Sequence, residues 1–355
     1  MNTSKRGATL AAAVALLLLY GCSAGRPSER VAQLLPIDRA RSGSENRVAP
    51  AEPTISIVPK SLDNPIFLDA KEAAQREGQK LGVHIDWVGP FSTNTGRQIE
   101  IVRWLIKRHV AGILISCNDP IALEPVIDEG IAAGVKIATF DSDSPDSKRL
   151  FYVGTDNSAL GSAAASTLVG ILRARHLLPS TGVVPDHPLT AVIVSGRREA
   201  YNLDERISAF KATASKQLNL RFLPTLYSND SISRTIDLTG QITDSHPHLS
   251  IIFFTGGWLF YAPIESMKGY AAWIRSGGIA ITIDATYPVL TAAKRGLVQG
   301  VIGQNFRQMG RIGVEMLYRA IHGERVPKLI YTGISKVTKG DLASFLRKTK
   351  NYEIR

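Results

Sequence analysis

From Thr54 onward the chain alternates short β-branched runs with helix-length amphipathic stretches, and does so twice over. Thr54-Ile-Ser-Ile-Val58 has strand length, and Asn64-Pro65 then supplies a capping side chain followed by a proline suited to a first helical turn. Phe67, Ala70, Ala74 and Leu81 recur at helical spacing up to Gly82. Val83–Val88, Gly112–Ser116, Val135–Phe140 and Leu150–Val153 read as four further strands, with Asp119-Pro120 opening a helix after the third strand of the set. The pattern restarts with Ala191–Ser195, Leu220–Tyr227, Ser250–Phe254, Gly278–Ile283 and Gly300–Gly303. Strands separated by helices imply right-handed βαβ units and parallel sheets. The fold class expected is therefore α/β, with two similar doubly wound lobes.

In open parallel sheets, ligands lie beyond the carboxyl ends of the strands. Those positions here are polar: Lys60–Asn64, Ser116–Asp119, Asp141–Asp143, Thr155–Asn157, Ser195–Arg198, Ser228–Asp230, Asp284 and Gln304. Carboxylates accept from adjacent hydroxyls, and Asn, Gln and Arg supply complementary donors, which suits a neutral sugar or polyol. Phe67, Tyr201 and Trp258 offer aromatic faces for its C–H surfaces. Asn64, Asp119 and Asp156 stand where helices begin, and capping alone explains each of them equally well. Asp141 and Asp284 end apolar strands with no helix start directly after them, and Trp258 follows Gly256-Gly257 at a strand end.

Enzyme motifs are missing from the expected places. There is no P-loop, no H-E-x-x-H, and no G-x-G-x-x-G after a strand. The single G-x-S-x-G match, Gly21–Gly25, has no strand before it. The seven histidines do not gather at strand ends, so no catalytic residue, cofactor or metal site is expected. Cys117, just past the third strand, reads as a small buried filler.

The N-terminus carries Lys5 and Arg6, then an uncharged run from Gly7 to Tyr20 that is short for a bilayer span but fits the core of an export signal. It ends in Leu19-Tyr20-Gly21-Cys22, which resembles a bacterial lipobox with a bulky residue at Tyr20. Residues 1–21 are thus read as a signal peptide, Cys22 as the lipidation site, and 22–53 as a polar flexible tether. The formal charge is +11; without Lys5 and Arg6 the balance is 40 basic against 31 acidic side chains, or +9. These charges are scattered rather than interleaved with aromatics, which argues against nucleic acid and for a basic surface facing anionic lipid.

Several runs together resemble the ribose-binding-protein-like periplasmic sugar-binding proteins. They are Lys60–Phe67, Val110–Pro120, Thr139–Arg149, Tyr152–Asn157, Asp204–Phe210, the strand ending in Asp284, and Gly303–Gly310, in the family's order. The resemblance implies a type I periplasmic-binding-protein fold with a three-stranded hinge. It places 54–155 with 305–333 in one lobe, and 156–304 with 334–345 in the other. It implies ligand contacts from Asn64, Phe67, Asp141, Arg206, Asp284 and Gln304, with Ser116 and nearby Asn118 after the third strand. Departures from the ribose pattern are Ser142 in place of an arginine, Gly256-Gly257-Trp258 in place of an asparagine, and Ile66 in place of one aromatic. The expected function is capture of a monosaccharide or related polyol by a monomeric, exported, lipid-anchored protein of the cell envelope, for delivery to an ABC transporter permease. The alternative is a receptor subunit presenting its ligand to a membrane sensor. A sugar-responsive repressor would open with a helix-turn-helix rather than an export signal, and a secreted hydrolase is the enzymatic alternative.

Overall fold

The computed structural model describes residues 52–178 and 187–349. The signal peptide, Cys22 and nearly all of the tether expected over 22–53 lie outside the described residues. Among the described residues no helix is long and apolar enough to cross a membrane.

The first half runs β1 (Thr54–Val58), α1 (Leu68–Leu81), β2 (His84–Trp87), α2 (Thr95–Lys107), β3 (Gly112–Ile115), α3 (Pro120–Ala132), β4 (Lys136–Phe140) and β5 (Tyr152–Thr155). The second runs α4 (Asn157–Ala174), β6 (Leu189–Ser195), α5 (Tyr201–Ser215), β7 (Leu220–Phe222), β8 (Leu226–Tyr227), α6 (Ile232–Ser245) and β9 (Leu249–Phe254). It continues with α7 (Lys268–Arg275), β10 (Ile279–Ile283), α8 (Tyr287–Lys294) and β11 (Gly300–Gly303). The chain then returns through α9 (Phe306–Ile321), β12 (Leu329–Thr332), β13 (Ser335–Val337) and α10 (Leu342–Thr349).

Two sheets result, ordered β12-β5-β4-β3-β1-β2 and β13-β11-β10-β9-β6-β7, with β8 also on β6. Every pairing is parallel except β11 with β13. In register, Ile57 opposes Leu114 in the first sheet and Ile281 opposes Phe253 in the second. The chain passes from one sheet to the other after β5, after β11 and between β12 and β13.

Each central strand is buried on both sides, which explains its largely apolar sequence, broken only by small buried hydroxyls such as Ser56, Thr139 and Thr282. In β9, Ile251 and Phe253 face one apolar cluster while Ile252 and Phe254 face another, the period-2 alternation of a strand between two helix layers. The first lobe repeats this with Leu114 on one face and Ile113 and Ile115 on the other. Asparagine and aspartate caps start the helices as expected: Asp119 Oδ1 accepts from the amides of Ile121 and Ala122, and Asp156 Oδ1 from Ala159.

Two expectations shift, and two strands are added. The fifth strand is Tyr152–Thr155, two residues later than Leu150–Val153, because its pairing with β12 rather than local pattern sets its end. The single strand expected over Leu220–Tyr227 splits into β7 and β8, both paired to β6. Strands β12 and β13 are short edge strands with exposed positions, and their sequences lack the apolar run that marks a buried strand.

Helices α4 and α5 pack most closely at Gly161, where any Cβ would collide with the carbonyl of Arg206. Glycine there lets α5 lie against α4 and so sets where Arg206 meets the cavity.

Candidate functional site

The sheet orders reverse between β1 and β3 and between β6 and β9, so both lobes open a crevice at the carboxyl ends of those strands. In the first lobe Gln98 on α2 holds that crevice together. Its Nε2 donates to the carbonyls of Pro59 (3.1 Å) and Ser116 (2.8 Å), and its Oε1 accepts from the amide of Asn118 at 2.9 Å. Asn118 Nδ2 in turn donates to the carbonyl of Lys60 at 3.0 Å. Asn64 Oδ1 caps the turn at Pro65–Phe67 by accepting from Ile66 N at 3.2 Å. Phe67 packs edge-on against Phe140 and Phe306, with centroids 6.0 and 5.7 Å away.

Asp141 and Asp284 occupy corresponding places in the two lobes. Each directly follows a strand and adopts a left-handed backbone, with φ of 58° and 80°. Such conformations are uncommon for non-glycine residues and gather at functional sites. Asp141 Oδ2 accepts from Ser116 Oγ at 2.7 Å, and its carbonyl accepts from Tyr152 Oη at 3.0 Å. Asp284 Oδ2 accepts from Gly257 N at 3.1 Å and Oδ1 from Gln304 Nε2 at 2.9 Å.

Arg206 is buried, and each of its three side-chain nitrogens donates a hydrogen bond. Nε donates to Asn157 Oδ1, Nη1 to the carbonyl of Thr255 and Nη2 to Gln304 Oε1, each at 2.9 Å. Gln304 Oε1 also accepts from Thr155 Oγ1 at 2.9 Å, so this amide ties the end of β5 in the first sheet to α5 and β10 of the second lobe. Trp258 opens a 3-10 turn after β9, its ring against Gly196 and Gly256, where a Cβ would come within 2.8 and 2.7 Å of it.

These groups enclose one cavity with about 480 Å³ of atom-free space, mouth included. Asn64, Phe67, Asp141, Arg206, Trp258, Asp284 and Gln304 all line it. Ser116 and Asn118 do not. Both are buried, and they act on the site indirectly, Ser116 by holding the Asp141 carboxylate and Asn118 by holding the Lys60 backbone. Tyr201 turns away and is largely exposed.

Nine further residues complete the lining, and the polar ones among them are Lys60, Thr93, Asn202, Asp230 and Tyr261. Lys60 and Asp230 fall within strand-end polar runs and so carried a signal. Thr93, Asn202 and Tyr261 carried none. Lys60 Nζ donates to Asn202 Oδ1 across the lobes at 3.3 Å, and Ser142 Oγ reaches the same oxygen at 3.4 Å. Arg197 of the second lobe donates to Thr95 Oγ1 and lies 3.4 Å from Asp119 Oδ2 in the first.

Burial pushes the Asp284 carboxyl above the usual range, opposed by the Arg206 charge and by the bonds from Gln304 and Gly257. Asp230 is likewise raised by burial, with Lys60 and Arg197 pulling it back. The Tyr261 hydroxyl is raised by burial and by the charge of Asp284. The cavity thus offers acceptors and donors from both lobes around aromatic walls. Among the described residues no group of His, Cys, Asp and Glu could hold a metal ion.

Comparison with known proteins matches this architecture. The model of the periplasmic binding protein domain covers residues 55–325. The ribose import binding protein of Bacillus subtilis is 24% identical over 329 residues, 92% of this chain and 96% of that protein. Its Escherichia coli counterpart is 22% identical over 288 residues, 81% of this chain and 91% of that protein. An ABC transporter solute-binding protein from Burkholderia graminis, solved with D-arabinose, superposes with a TM-score of 0.74 at 30% identity, spanning 82% of this chain and 97% of that one. With two parallel-sheet lobes, a polar crevice between them and a family match over most of its length, the chain belongs to the periplasmic binding protein family.

Proposed function

We propose that this protein captures a monosaccharide or related polyol between its lobes and hands it to an ABC importer, without chemistry on the ligand. The observation that carries this reading is the pairing of Asp141 and Asp284, one from each lobe, at a single cavity whose lining also includes the donors Lys60 and Asn202 and the aromatic rings of Phe67, Trp258 and Tyr261. A polyol presents adjacent hydroxyls, so one carboxylate accepts from two of them while Lys60 and Asn202 supply donors to its oxygens. Ligand contacts on both lobes favour closure, because only a differential affinity for the closed form shifts that equilibrium. Ribose import is what two of the curated relatives perform and D-arabinose is what the Burkholderia protein holds, which supports a pentose-sized ligand.

Thermal-shift screening of the purified chain against pentoses, hexoses and polyols tests the reading. A ligand at 100 times its dissociation constant adds about 2.7 kcal/mol of stability. Failure of every sugar and polyol to shift the melting temperature would overturn it.

The export signal and Cys22 complete the proposal, with the mature chain anchored at the cell envelope through a lipidated Cys22. Cys22→Ala should move the protein from the membrane fraction to the soluble one, and unchanged membrane retention would count against the anchor.

A further inference from the structure

A groove of about 910 Å³ of atom-free space adjoins the central cavity and shares five lining residues with it: Asn64, Thr93, Asp230, Trp258 and Tyr261. A smaller groove beside Pro65 and Tyr287 shares only Ile66 and Tyr261 with it. The other large groove lined by both lobes, which runs along Pro120–Glu124 and Glu199–Ser208, shares no lining residue with the cavity. The bridges from Lys60 and Ser142 to Asn202 close the lobes over the cavity itself. The groove past Asp230 and Trp258 thus has the most extensive junction with the cavity, and a ligand longer than one ring is led out that way.

That way out has the chemistry of a site. Its own walls carry hydroxyls and an amide from Ser92 of the first lobe and Asn229, Ser231 and Ser233 of the second, beside Asp63, Pro65 and Ile232. Trp258, wedged against Gly196 and Gly256, is common to both chambers. An aromatic wall shared by two hydroxyl-lined chambers provides apolar contact for the C–H surfaces of a sugar on either side of a linkage. Asp230 stands at the junction, where its carboxylate can accept from a hydroxyl of either unit.

We propose that the site takes a two-unit carbohydrate, a disaccharide or glycoside, with one ring in the central cavity and the second unit in the adjoining groove. This rests on the sugar-binding reading above and extends it to the size of the ligand.

The test compares pentoses and hexoses with their methyl glycosides and with disaccharides that carry the same ring, by calorimetric titration of the full-length chain. Ser92→Trp and Ser233→Trp are the variants, because both serines are exposed and line the groove but not the cavity. The expected result is a two-unit probe that binds at least tenfold tighter than its parent monosaccharide. Both tryptophan variants should abolish that gain and leave monosaccharide affinity unchanged. A monosaccharide that binds as tightly as every extended probe, or variants that leave the gain intact, would overturn the two-unit site while leaving the sugar reading standing. If no carbohydrate of either size binds, both readings fail together.

Discussion

Gln304 donates to Asp284 through Nε2 and accepts from Arg206 through Oε1, both at 2.9 Å, so one amide orients a buried carboxylate and a buried guanidinium at once. The opposite amide orientation would set donor against donor at Arg206 and acceptor against acceptor at Asp284. Arg206, Gln304 and Asp284 therefore act as one assembly, and a change at one is felt at all three.

Removal of the Asp284 side chain separates binding from stability. A hydrogen bond to a charged group contributes about 1.5–3 kcal/mol. At about 1.4 kcal/mol per decade, Asp284→Ala should weaken sugar binding roughly tenfold to a hundredfold, measured by titration calorimetry. Its carboxyl is raised by burial in the folded state, so its contribution to stability is fully present below the unfolded value, near 3.8, and is lost as pH rises through the folded value. The melting temperature of Asp284→Ala relative to the parent should therefore rise between acid and neutral pH. A constant difference across that window would show that burial does not raise this group.

Arg197 contacts the first lobe outside the cavity lining, through Thr95 and Asp119. Partly exposed ion pairs contribute at most about 1 kcal/mol. Arg197→Ala should lower ligand affinity by no more than about fivefold, while solution scattering shows a larger radius of gyration for the ligand-free protein. An unchanged radius would mean that these bonds do not hold the empty lobes together.

Gly161 sets the distance between α4 and α5, and a methyl group there meets the Arg206 carbonyl. Overpacking of this kind typically costs about 1–3 kcal/mol. Gly161→Ala should lower unfolding free energy by that amount in urea and also weaken ligand binding, since α5 carries Arg206 and Asn202. A stability loss with binding intact would show that α5 moves without its cleft residues.

Cys117 is fully buried among Val58, Ile115 and Leu123 in an apolar cluster, and burial pushes its thiol well above the ordinary value. A thiol reagent should leave it unmodified in the native protein, with or without sugar, and should label it once the chain is unfolded in guanidinium. Protection that appears only on adding ligand would instead place it at the cleft.

Much of the architecture is local in origin. Strands buried on both faces read as largely apolar runs, and helices that begin after an asparagine or aspartate cap announce themselves, so β1, β3, β4, β9 and β10 and their following loops are legible from Thr54 onward. Because sheet chemistry puts ligands at the carboxyl ends of strands, Asp141 and Asp284 were identifiable as candidates before any coordinates.

The direction in which each polar side chain points is not local. Ser116 and Asn118 sit at a strand end like the cavity residues, yet their partners, Asp141 and the Lys60 backbone, arrive from 25 and 58 residues away and turn them inward as braces. Tyr201 and Asn202 are consecutive on α5, and a helix rotates successive residues by about 100°. That rotation sends Tyr201 to solvent and Asn202 to the cavity, according to the phase in which α5 packs on α4 at Gly161. The residue types at the strand ends were thus determined by the sequence alone. Which of them face the cavity was decided only by contacts between segments as far apart as Lys60 and Asn202, 142 residues along the chain, which only the folded chain brings together.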